Sequence, residues 1–573
     1  MAKQTTRKIL LRCQAAVLVL LSAACSGGGP TGNSSSSPGM EVTFLVGSAM
    51  GDFCQQSMER FNQTGPKLKD GSSFSVKCVA KGSGDIVSEL LTQANALKNG
   101  SVSAEDPSWP TLVSLDGDIY VDQLAYQFSQ LFPGQNYLPT VADAPLLANS
   151  PMVFMVREDL AQSLRKTKDP FQALLTAKSH KDLDAGSQPL PLRYVHTAPT
   201  RSNSGLQTLV AQFASVSGKR PEQLTVADVG THQGKVGEIQ QKITRYGTST
   251  TSLAKAMVAN GPFWASVGSV YESSVIAANA QVPAGQPRYQ AVYPGITYTS
   301  NMRGILATGP WVSSAEKEAA EQIIQYLRQP ETQQIATTLG LRPGTPGVAL
   351  GNKFTQNWGV EAQPKYDSFR VPKPEVVEAM LQSWQTAAKK PSQVVIVVDS
   401  SGSMTGTKLA AVQSTLQTYL KGLGPKEKVS LIDFDSVVRK PVSVDGSPAG
   451  QSKGLEFVVA LKADGNTKLY DSILAAQTWL TQNLRPNAIN AVIVLTDGED
   501  SGSSRRLPQL LSALKKSGFE GEQRIAIFTV GYGNAGDFAP DVLKQIAEAN
   551  GGYYRQGDPA SIAKLMADLQ VEF

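Results

Sequence analysis

The apolar run at 394–398, Val-Val-Ile-Val-Val, constrains the fold more than any other segment of this chain. A continuous run of β-branched residues is typical of a parallel strand that helices cover on both faces. The run leads directly into a turn that contains Asp399, Ser401 and Ser403. Ligand sites in open α/β sheets lie just beyond the carboxyl ends of such strands. The sequence therefore predicts one carboxylate and two hydroxyls held together at the edge of a sheet.

Two later segments supply further oxygen donors in similar positions. The sequence GNTKLYDSI places Thr467 just before a helical pattern, and the apolar run AVIVLT leads into Asp497. Carboxylates and hydroxyls are hard ligands, which suit Mg²⁺, Mn²⁺ or Ca²⁺ rather than a soft metal. Asp-Ser-Gly and Thr-Asp-Gly are also ordinary turns after strands, and that alternative predicts no metal. Three such loops in this order favour the metal site.

This arrangement resembles the von Willebrand factor A family, whose metal-ion-dependent adhesion site begins with D-x-S-x-S. The resemblance covers residues 393–573 and implies a Rossmann-like, doubly wound α/β domain. The family's metal-ligand positions are all filled here, by Asp399, Ser401, Ser403, Thr467 and Asp497. The family implies that the three hydroxyls contact the cation directly and the two aspartates contact it directly or through water. It also implies that an Asp or Glu of a protein partner completes the coordination.

The first 24 residues have the pattern of a secretory signal, with basic residues followed by an apolar run too short to span a bilayer. Small residues precede Cys25, and residues 25–40 form a flexible Gly/Ser-rich tether. This junction resembles a bacterial lipoprotein cleavage site, which implies a mature chain anchored in a membrane through a diacylated Cys25. The leucine usual three residues before the cysteine lies one residue earlier, at Leu21. The alternative is cleavage by ordinary signal peptidase, which leaves a soluble secreted protein.

The remaining cysteines predict a disulfide. Of four cysteines, Cys13 lies in the signal and Cys25 at the lipidation point, which leaves Cys54 and Cys78 in the mature chain. An even pair in an oxidising compartment favours a disulfide, and neighbouring β–α–β elements could bring the two together. Zinc is not predicted, because the chain has three histidines and none lies near a cysteine in the sequence.

Residues 41–345, here called the N-terminal region, alternate strand and helix patterns, as in a doubly wound parallel sheet. One lobe, a crossing strand, a second lobe and a crossing back resemble the two-lobed periplasmic solute-binding fold of ABC-type transport systems. Helix N-termini attract anions and carboxylates, so four serines are candidates for a ligand cleft between the lobes. They are Ser48, Ser83, Ser202 and Ser204. The alternative is that each serine only caps its helix.

Residues 346–392, here called the linker, are rich in Pro, Gly and Asn and end in a short amphipathic helix. Its apolar residues recur at helical spacing. They are Val376, Met380, Leu381 and Trp384. We expect this face to dock on one of the domains. Residues 393–573 are called the C-terminal domain below.

Composition and motifs narrow the function. The chain has 53 basic and 48 acidic residues and a net charge of +5, without a basic cluster interleaved with aromatics, so nucleic acid is not an expected partner. No GxSxG or HExxH motif is present, so no enzyme is predicted. The main hypothesis is an exported adhesion or scaffolding lipoprotein of the bacterial cell envelope that binds a protein partner. The alternative is a transport receptor that captures a small solute in the N-terminal cleft and uses the C-terminal domain for docking.

Overall fold

The structure is a computed structural model that describes residues 39–167, 169–262, 264–516, 525–533 and 538–573. Residues Met40–Phe573 form one compact unit. The predicted signal at 1–24, the lipidation residue Cys25 and all but the end of the tether lie outside the described residues. In the described part of the chain, no helix has the length and hydropathy needed to cross a bilayer.

The N-terminal region alternates strands and helices as the sequence predicts. Its strands are β1 (Met40–Gly47), β2 (Phe74–Lys81), β3 (Leu112–Ser114), β4 (Leu146–Arg157), β5 (Tyr194–Thr197), β6 (Ile243–Gly247), β7 (Val267–Tyr271), β8 (Tyr289–Val292), β9 (Ile296–Thr297), β10 (Thr299–Arg303), β11 (Ile305–Leu306) and β12 (Arg342–Pro343). Its helices are α1 (Gly51–Gln63), α2 (Ser83–Lys98), α3 (Asp118–Leu131), α4 (Glu158–Lys166), α5 (Pro170–Thr176), α6 (His180–Leu183), α7 (Asn203–Ser217), α8 (Val226–Gln240), α9 (Thr250–Asn260), α10 (Glu272–Asn279), α11 (Ser314–Leu327) and α12 (Pro330–Thr338).

All of these strands except β9 form two sheets, one for each lobe. The first lobe has the order β11-β3-β1-β2, and the second has the order β10-β4-β7-β5-β6 with β8 and β12 also paired to β4. The long strand β4 connects the lobes, because its first half pairs with β10 and β12 and its second half pairs with β7 and β8. In the first lobe, Cys54 on α1 and Cys78 on β2 form a disulfide with Cα atoms 6.1 Å apart.

The linker contributes β13 (Asp367–Ser368) and α13 (Pro374–Ser383), which continues into a π-helical turn. Helix α13 packs against α3 of the first lobe and against α7 and α8 of the second. Its predicted apolar residues are buried or partly buried: Val376, Met380, Leu381 and Trp384. On the side of the first lobe, Gln123 and Gln127 donate hydrogen bonds of 3.0 and 3.1 Å to Glu378. On the side of the second lobe, the Trp384 indole donates to Gln240 at 3.3 Å. Helix α13 therefore braces both lobes.

The C-terminal domain is a six-stranded sheet with helices on both faces. Its elements are β14 (Ser392–Asp399), α14 (Thr407–Lys421), β15 (Glu427–Phe434), β16 (Val442–Asp445), α15 (Pro448–Ala460), α16 (Leu469–Gln482), β17 (Ile489–Thr496), α17 (Leu507–Lys516), β18 (Ala526–Tyr532), α18 (Pro540–Ala549), β19 (Tyr554–Gly557) and α19 (Ile562–Glu572). The strand order is β16-β15-β14-β17-β18-β19, and every pair except β15–β16 is parallel.

Strand β14 lies in the middle of this sheet, and all eight of its residues are buried. Val394, Ile396 and Val398 belong to the core cluster that includes α14 and α19. Val395 and Val397 belong to the separate cluster that includes α16. Each of these side chains contributes about 1.5–3 kcal/mol through burial. This two-sided packing explains the unbroken apolar run, and it fixes the position at which Asp399 leaves the sheet.

Candidate metal centre

The predicted oxygen donors meet at the carboxyl edge of the C-terminal sheet. Asp399 ends β14, and Asp497 follows β17, the parallel neighbour of β14. Ser401 and Ser403 lie in the turn after β14, where their hydroxyl oxygens are 3.1 Å apart. The Ser403 hydroxyl donates a 2.7 Å hydrogen bond to Asp497 Oδ1. Neighbouring parallel strands end at the same edge, so donors about a hundred residues apart in sequence converge here.

Thr467 faces the same point from the loop before α16. A methyl group built on Gly498 would lie 3.5 Å from Thr467 Oγ1 and 3.6 Å from Ser403 Oγ, so both hydroxyls border the space beside this glycine. The loop is held by Ser501, whose hydroxyl accepts from the Thr467 N–H at 3.1 Å and whose N–H donates to the Thr467 carbonyl at 3.0 Å. In the described part of the chain, no hydrogen bond is made by the Thr467 hydroxyl, which leaves it available as a ligand.

Asp399 is held rigidly and fully buried. It accepts hydrogen bonds from the Ser401 N–H at 2.9 Å and from the Thr496 hydroxyl at 2.5 Å. Burial raises the pKa of this carboxyl to about 6, although these hydrogen bonds oppose the rise and Asp497 adds to it. A cation placed at this edge would favour the ionised carboxylate and reverse that shift.

Lys408 is part of the centre and was not predicted from the sequence. Its ammonium group lies 2.7 Å from Asp497 Oδ2, and the Asp497 side chain has no exposed surface. Lys408 lies in the first turn of α14. The start of a helix directly after the DSSGSM turn was the only sequence pattern that could have placed this lysine near the centre. Lys408 compensates one of the two carboxylate charges at this edge.

The donor set fits a hard divalent cation. Among the described residues there is no group of three or more His, Cys, Asp or Glu side chains that could hold a metal. This centre instead offers two carboxylates and three hydroxyls, which are acceptable ligands for Mg²⁺, Mn²⁺ or Ca²⁺. Ser401, Ser403 and Thr467 would contact the cation, with Asp399 and Asp497 as direct or water-mediated ligands. A bound cation would supply an open coordination position for an incoming carboxylate.

The four serines predicted for the N-terminal cleft lie at or near the contact between the lobes. Ser83 is buried at the N-terminus of α2, and its hydroxyl accepts from the Asp116 N–H at 3.0 Å. Ser204 is buried and bonds the Thr250 hydroxyl at 2.6 Å, and Ser202 lies 3.3 Å from Ser204. Ser48 follows β1 and is partly exposed. The serine hydroxyls of the second lobe are therefore engaged with one another.

The two lobes touch directly beside these serines. The Gly84 N–H donates to the Arg201 carbonyl at 3.0 Å, and the Tyr120 hydroxyl donates to the Pro199 carbonyl at 2.7 Å. A side chain on Gly84 would collide with the backbone of Thr200, so glycine is required for this contact. The loop of the second lobe thus covers the first turn of α2.

Asp116 lies at this lobe contact and was not among the predicted residues. Its side chain is buried, its Oδ2 accepts from the Ala49 N–H at 3.3 Å, and its Oδ1 has no partner in the described chain. Burial raises the pKa of the Asp116 carboxyl to about 7, while hydrogen bonding with Ala49 and Ser83 opposes the rise. Asn203 Oδ1 and Gln207 Oε1 are also buried without a partner in the described chain. Both side chains lie against Gly117, next to Asp116.

The two-lobed region and the doubly wound domain with hard oxygen donors together define a binding protein. The family model described as bacterial extracellular solute-binding protein matches residues 56–362, which is more than half of the chain. The chain therefore belongs to this family, and the model for the von Willebrand factor type A domain matches residues 393–568. These matches confirm the predicted fusion and its α/β fold class. Membership in an extracellular family indicates an exported protein.

Individual relatives resemble one part of the chain or the other. Human inter-alpha-trypsin inhibitor heavy chain H4 is 28% identical over 173 residues, covering 29% of this chain and 18% of that protein. The chain thus spans less than a fifth of the length of this curated relative. The von Willebrand factor type A structure from Catenulispora acidiphila has a TM-score of 0.27 at 23% identity and covers 32% of this chain and 43% of its own. The substrate binding domain assigned to a molybdenum ABC transporter from Clostridium difficile has a TM-score of 0.30 at 12% identity, covering 53% and 99%.

Proposed function

We propose that this protein is a non-enzymatic binding protein of the bacterial envelope that engages a protein partner through a divalent cation at the edge of its C-terminal domain. The observation that carries the proposal is the convergence of Ser401, Ser403 and Thr467 with Asp399 and Asp497. Three of the five donors are neutral. Neutral ligands add no negative charge and Lys408 compensates the charge of Asp497, so part of a dication's charge stays uncompensated and the centre favours an incoming Asp or Glu of the partner.

Lys408 supports the same conclusion. Its ammonium group is 2.7 Å from the fully buried Asp497 carboxylate, so it compensates charge that a cation would otherwise meet. Less negative charge at the centre weakens the hold on the cation and strengthens the attraction for a carboxylate from outside. A cation centre that relies on its partner for part of its coordination is suited to reversible adhesion.

Direct cation binding tests the centre. Mn²⁺ titration of the full chain, followed by electron paramagnetic resonance, should show one site that Mg²⁺ displaces. Removing an outer-shell partner of a metal ligand costs about 10–100-fold in affinity, so Asp399→Ala should cost at least about 100-fold. Asp541→Ala, at an exposed aspartate of α18, is the matched control and should bind as wild type does. Equal Mn²⁺ affinity in wild type and Asp399→Ala would rule out the centre.

Partner binding requires a second measurement. Envelope extract is passed over immobilised wild type in Mg²⁺ or after chelation, and over Asp399→Ala in Mg²⁺. Proteins retained only by wild type in Mg²⁺ are candidates, and an Asp or Glu variant of such a protein should lose binding. A partner that is retained equally after chelation would contradict the cation-dependent mechanism, even if Mn²⁺ binding itself is observed.

The lipid anchor belongs to the same proposal. The signal-like segment at 1–24 ends in small residues before Cys25, and a Gly/Ser-rich tether follows. A diacylated cysteine at this point would hold the chain at the membrane, while residues 25–40 would act as a flexible spacer between the lipid and the folded part of the chain. In the native host, labelled palmitate should enter the wild-type protein and not Cys25→Ser. Label in both proteins, or in neither, would contradict lipidation at this residue.

A second candidate function is solute capture between the lobes, with the C-terminal domain as a docking module. It is favoured by the unpartnered buried acceptors at the lobe contact, on Asp116, Asn203 and Gln207. Three acceptors without donors suit a small solute that carries ammonium or hydroxyl groups. A thermal-shift screen of the full chain against amino acids, sugars, metals and anions should give a hit that Asp116→Asn abolishes. A hit that survives Asp116→Asn would assign that solute to a different site.

A further inference from the structure

A cavity of about 400 Å³ lies where the second lobe meets the C-terminal domain. The lobe side of its wall includes Arg193, which directly precedes β5, and Arg245 in the middle of the neighbouring strand β6. The domain side includes residues 485–488 before β17, the first two residues of β17 and the first residue of β18, and Lys390 of the linker completes the wall. We call this space the interdomain cavity. Ligand sites occur preferentially at domain interfaces, and small-molecule sites range from about 300 to 1,000 Å³.

The charged side chains in the wall of the interdomain cavity are all basic. Its charged lining residues are Lys178, Arg193, Lys242, Arg245, Lys390 and Arg485. No Asp or Glu is among the described lining residues. The whole chain has 53 basic and 48 acidic residues, so a wall of this kind is not a consequence of overall composition. The six cations come from five separate segments of sequence, and only folding brings them together.

Three of these cations, Arg193, Lys390 and Arg485, have no acidic partner among the described residues. Lys242 donates to the Ala177 carbonyl at 2.5 Å, and Lys390 donates to the Ile243 carbonyl at 2.7 Å. Carbonyl oxygens satisfy hydrogen bonds but do not neutralise a cation. In the part of the chain that the structure describes, the Arg193 guanidinium makes no hydrogen bond. A partly buried guanidinium with five free donors is costly unless an anion meets it.

Arg245 has a carboxylate partner outside the cavity wall. Its Nη1 lies 3.7 Å from Glu572 of α19, and its guanidinium lies 4.6 Å from the centre of the Phe528 ring. The same guanidinium donates to the Gly551 carbonyl at 3.1 Å. Glu572 therefore compensates Arg245 from outside the cavity wall, and Asp182 lies close enough to Lys178 and Lys242 to attract both.

The charges act on one another across the cavity. Burial, together with the charge of Arg193, lowers the pKa of the Lys390 ammonium to about 8. Burial and then Lys178 lower the pKa of Lys242, while Asp182 opposes the decrease. Burial also lowers the pKa of the Arg485 guanidinium. These groups are close enough to repel one another, and an anion between them would relieve that repulsion.

We propose that the interdomain cavity binds a small multivalent anion of the phosphate type. Guanidinium forks and ammonium groups on several sides match the oxygens of a tetrahedral oxyanion, and charge-assisted hydrogen bonds to such groups are the strong ones. A single basic side chain could be neutralised by an anion with one charge. Six basic side chains around one cavity favour an anion with several charges. The phosphate can be free in solution or belong to a lipid headgroup.

The interdomain cavity is separate from the candidate metal centre. Lys390 precedes β14 and residues 485–488 precede β17, so the cavity lies at the amino edge of the C-terminal sheet. Asp399 and Asp497 lie at the carboxyl edge. Strand β14 has eight residues, which separates the two edges by about 23 Å. An anion in the cavity would contact both the lobe and the domain, and would therefore stabilise their association.

The test uses the full chain in metal-free buffer. Pyrophosphate and inorganic phosphate are titrated by calorimetry, and the melting temperature is followed at constant ionic strength set with potassium chloride. Sedimentation with vesicles of phosphatidylglycerol, against vesicles of phosphatidylcholine, tests the lipid-held phosphate. We expect saturable binding in at least one arm, with a rise in melting temperature that chloride does not give.

Arg193→Gln is the decisive variant, because its guanidinium has no hydrogen bond to lose in the described chain. This variant should lower the affinity for the anion by about tenfold or more. Without the anion it should melt no lower than wild type, since it removes one member of a repelling group. Lys178→Gln, at an exposed position, should weaken binding of the anion without affecting folding. Arg60→Gln, on an exposed face of α1, is the matched control. Absence of binding in every arm, or binding that Arg193→Gln retains in full, would overturn the proposal.

Discussion

Replacing Asp116 with asparagine should stabilise the folded chain at pH 8 and destabilise it at pH 4. The side chain is 3% exposed at the contact between the lobes, and its Oδ1 has no partner in the described chain. Burial raises the pKa of this carboxyl from 3.8 to about 7, with hydrogen bonding to Ala49 and Ser83 opposing the rise. Above pH 7 the wild type must therefore hold a buried carboxylate without a cation beside it.

The sign and the size follow from this pKa. Between about pH 4 and pH 7 the folded chain binds the Asp116 proton more tightly than the unfolded chain does, so stability falls as pH rises through this window. A pKa difference of about 3 corresponds to about 4 kcal/mol. Asparagine does not ionise, but its buried amide needs a partner at a cost of about 1–3 kcal/mol. The variant should gain about 1–3 kcal/mol at pH 8.

Calorimetric melting of the full chain at pH 4, 6 and 8 measures this difference. The melting temperature of Asp116→Asn should exceed that of wild type at pH 8, and the difference should reverse its sign as the pH falls to 4. Asp367→Asn, at an exposed position of β13, is the control and should follow wild type at every pH. A gap that does not vary with pH, or a variant that melts lower than wild type at pH 8, would refute the reasoning.

Two further substitutions test the contacts that hold the described unit together. Arg201 bonds Asp85 of the first lobe and, at 2.7 Å, Asp568 of α19, so Arg201→Gln should lower stability by about 1–3 kcal/mol and speed proteolysis between the regions. Unchanged cleavage would contradict a connecting role. Replacing both Cys54 and Cys78 with serine opens a link across a separation of 24 residues and should cost about 3 kcal/mol. If reductant leaves the wild-type melting temperature unchanged, the disulfide does not contribute as expected.

Local patterns predicted the elements and the shape of the metal centre. The Val/Ile run of β14 could be recognised because both faces of a central parallel strand are buried. Asp399, Ser401 and Asp497 could be expected together because they leave neighbouring parallel strands at one edge. The linker helix could be found from its apolar spacing, but its two binding surfaces on α3 and α8 depend on how the lobes are arranged.

Features that arise from tertiary packing could not be predicted. Ser204 looked like a free helix N-terminal hydroxyl, whereas packing places it beside Thr250 and within reach of Ser202. Lys408 has no motif of its own, and only the approach of α14 to β17 pairs it with Asp497. The interdomain cavity takes cations from positions as distant as 178 and 485. A net charge of +5 gives no sign of such a concentration.

The brace formed by helix α13 has a kinetic consequence. Opening the lobes would break the hydrogen bonds from Gln123 and Gln127 to Glu378, together with the contact of Gly84 with the loop around Arg201. A solute at the lobe contact could enter or leave only during such openings. Its observed association rate would level off at the opening rate as concentration rises, instead of increasing linearly. Stopped-flow measurements with any solute that binds there would therefore measure the rate at which the lobes open.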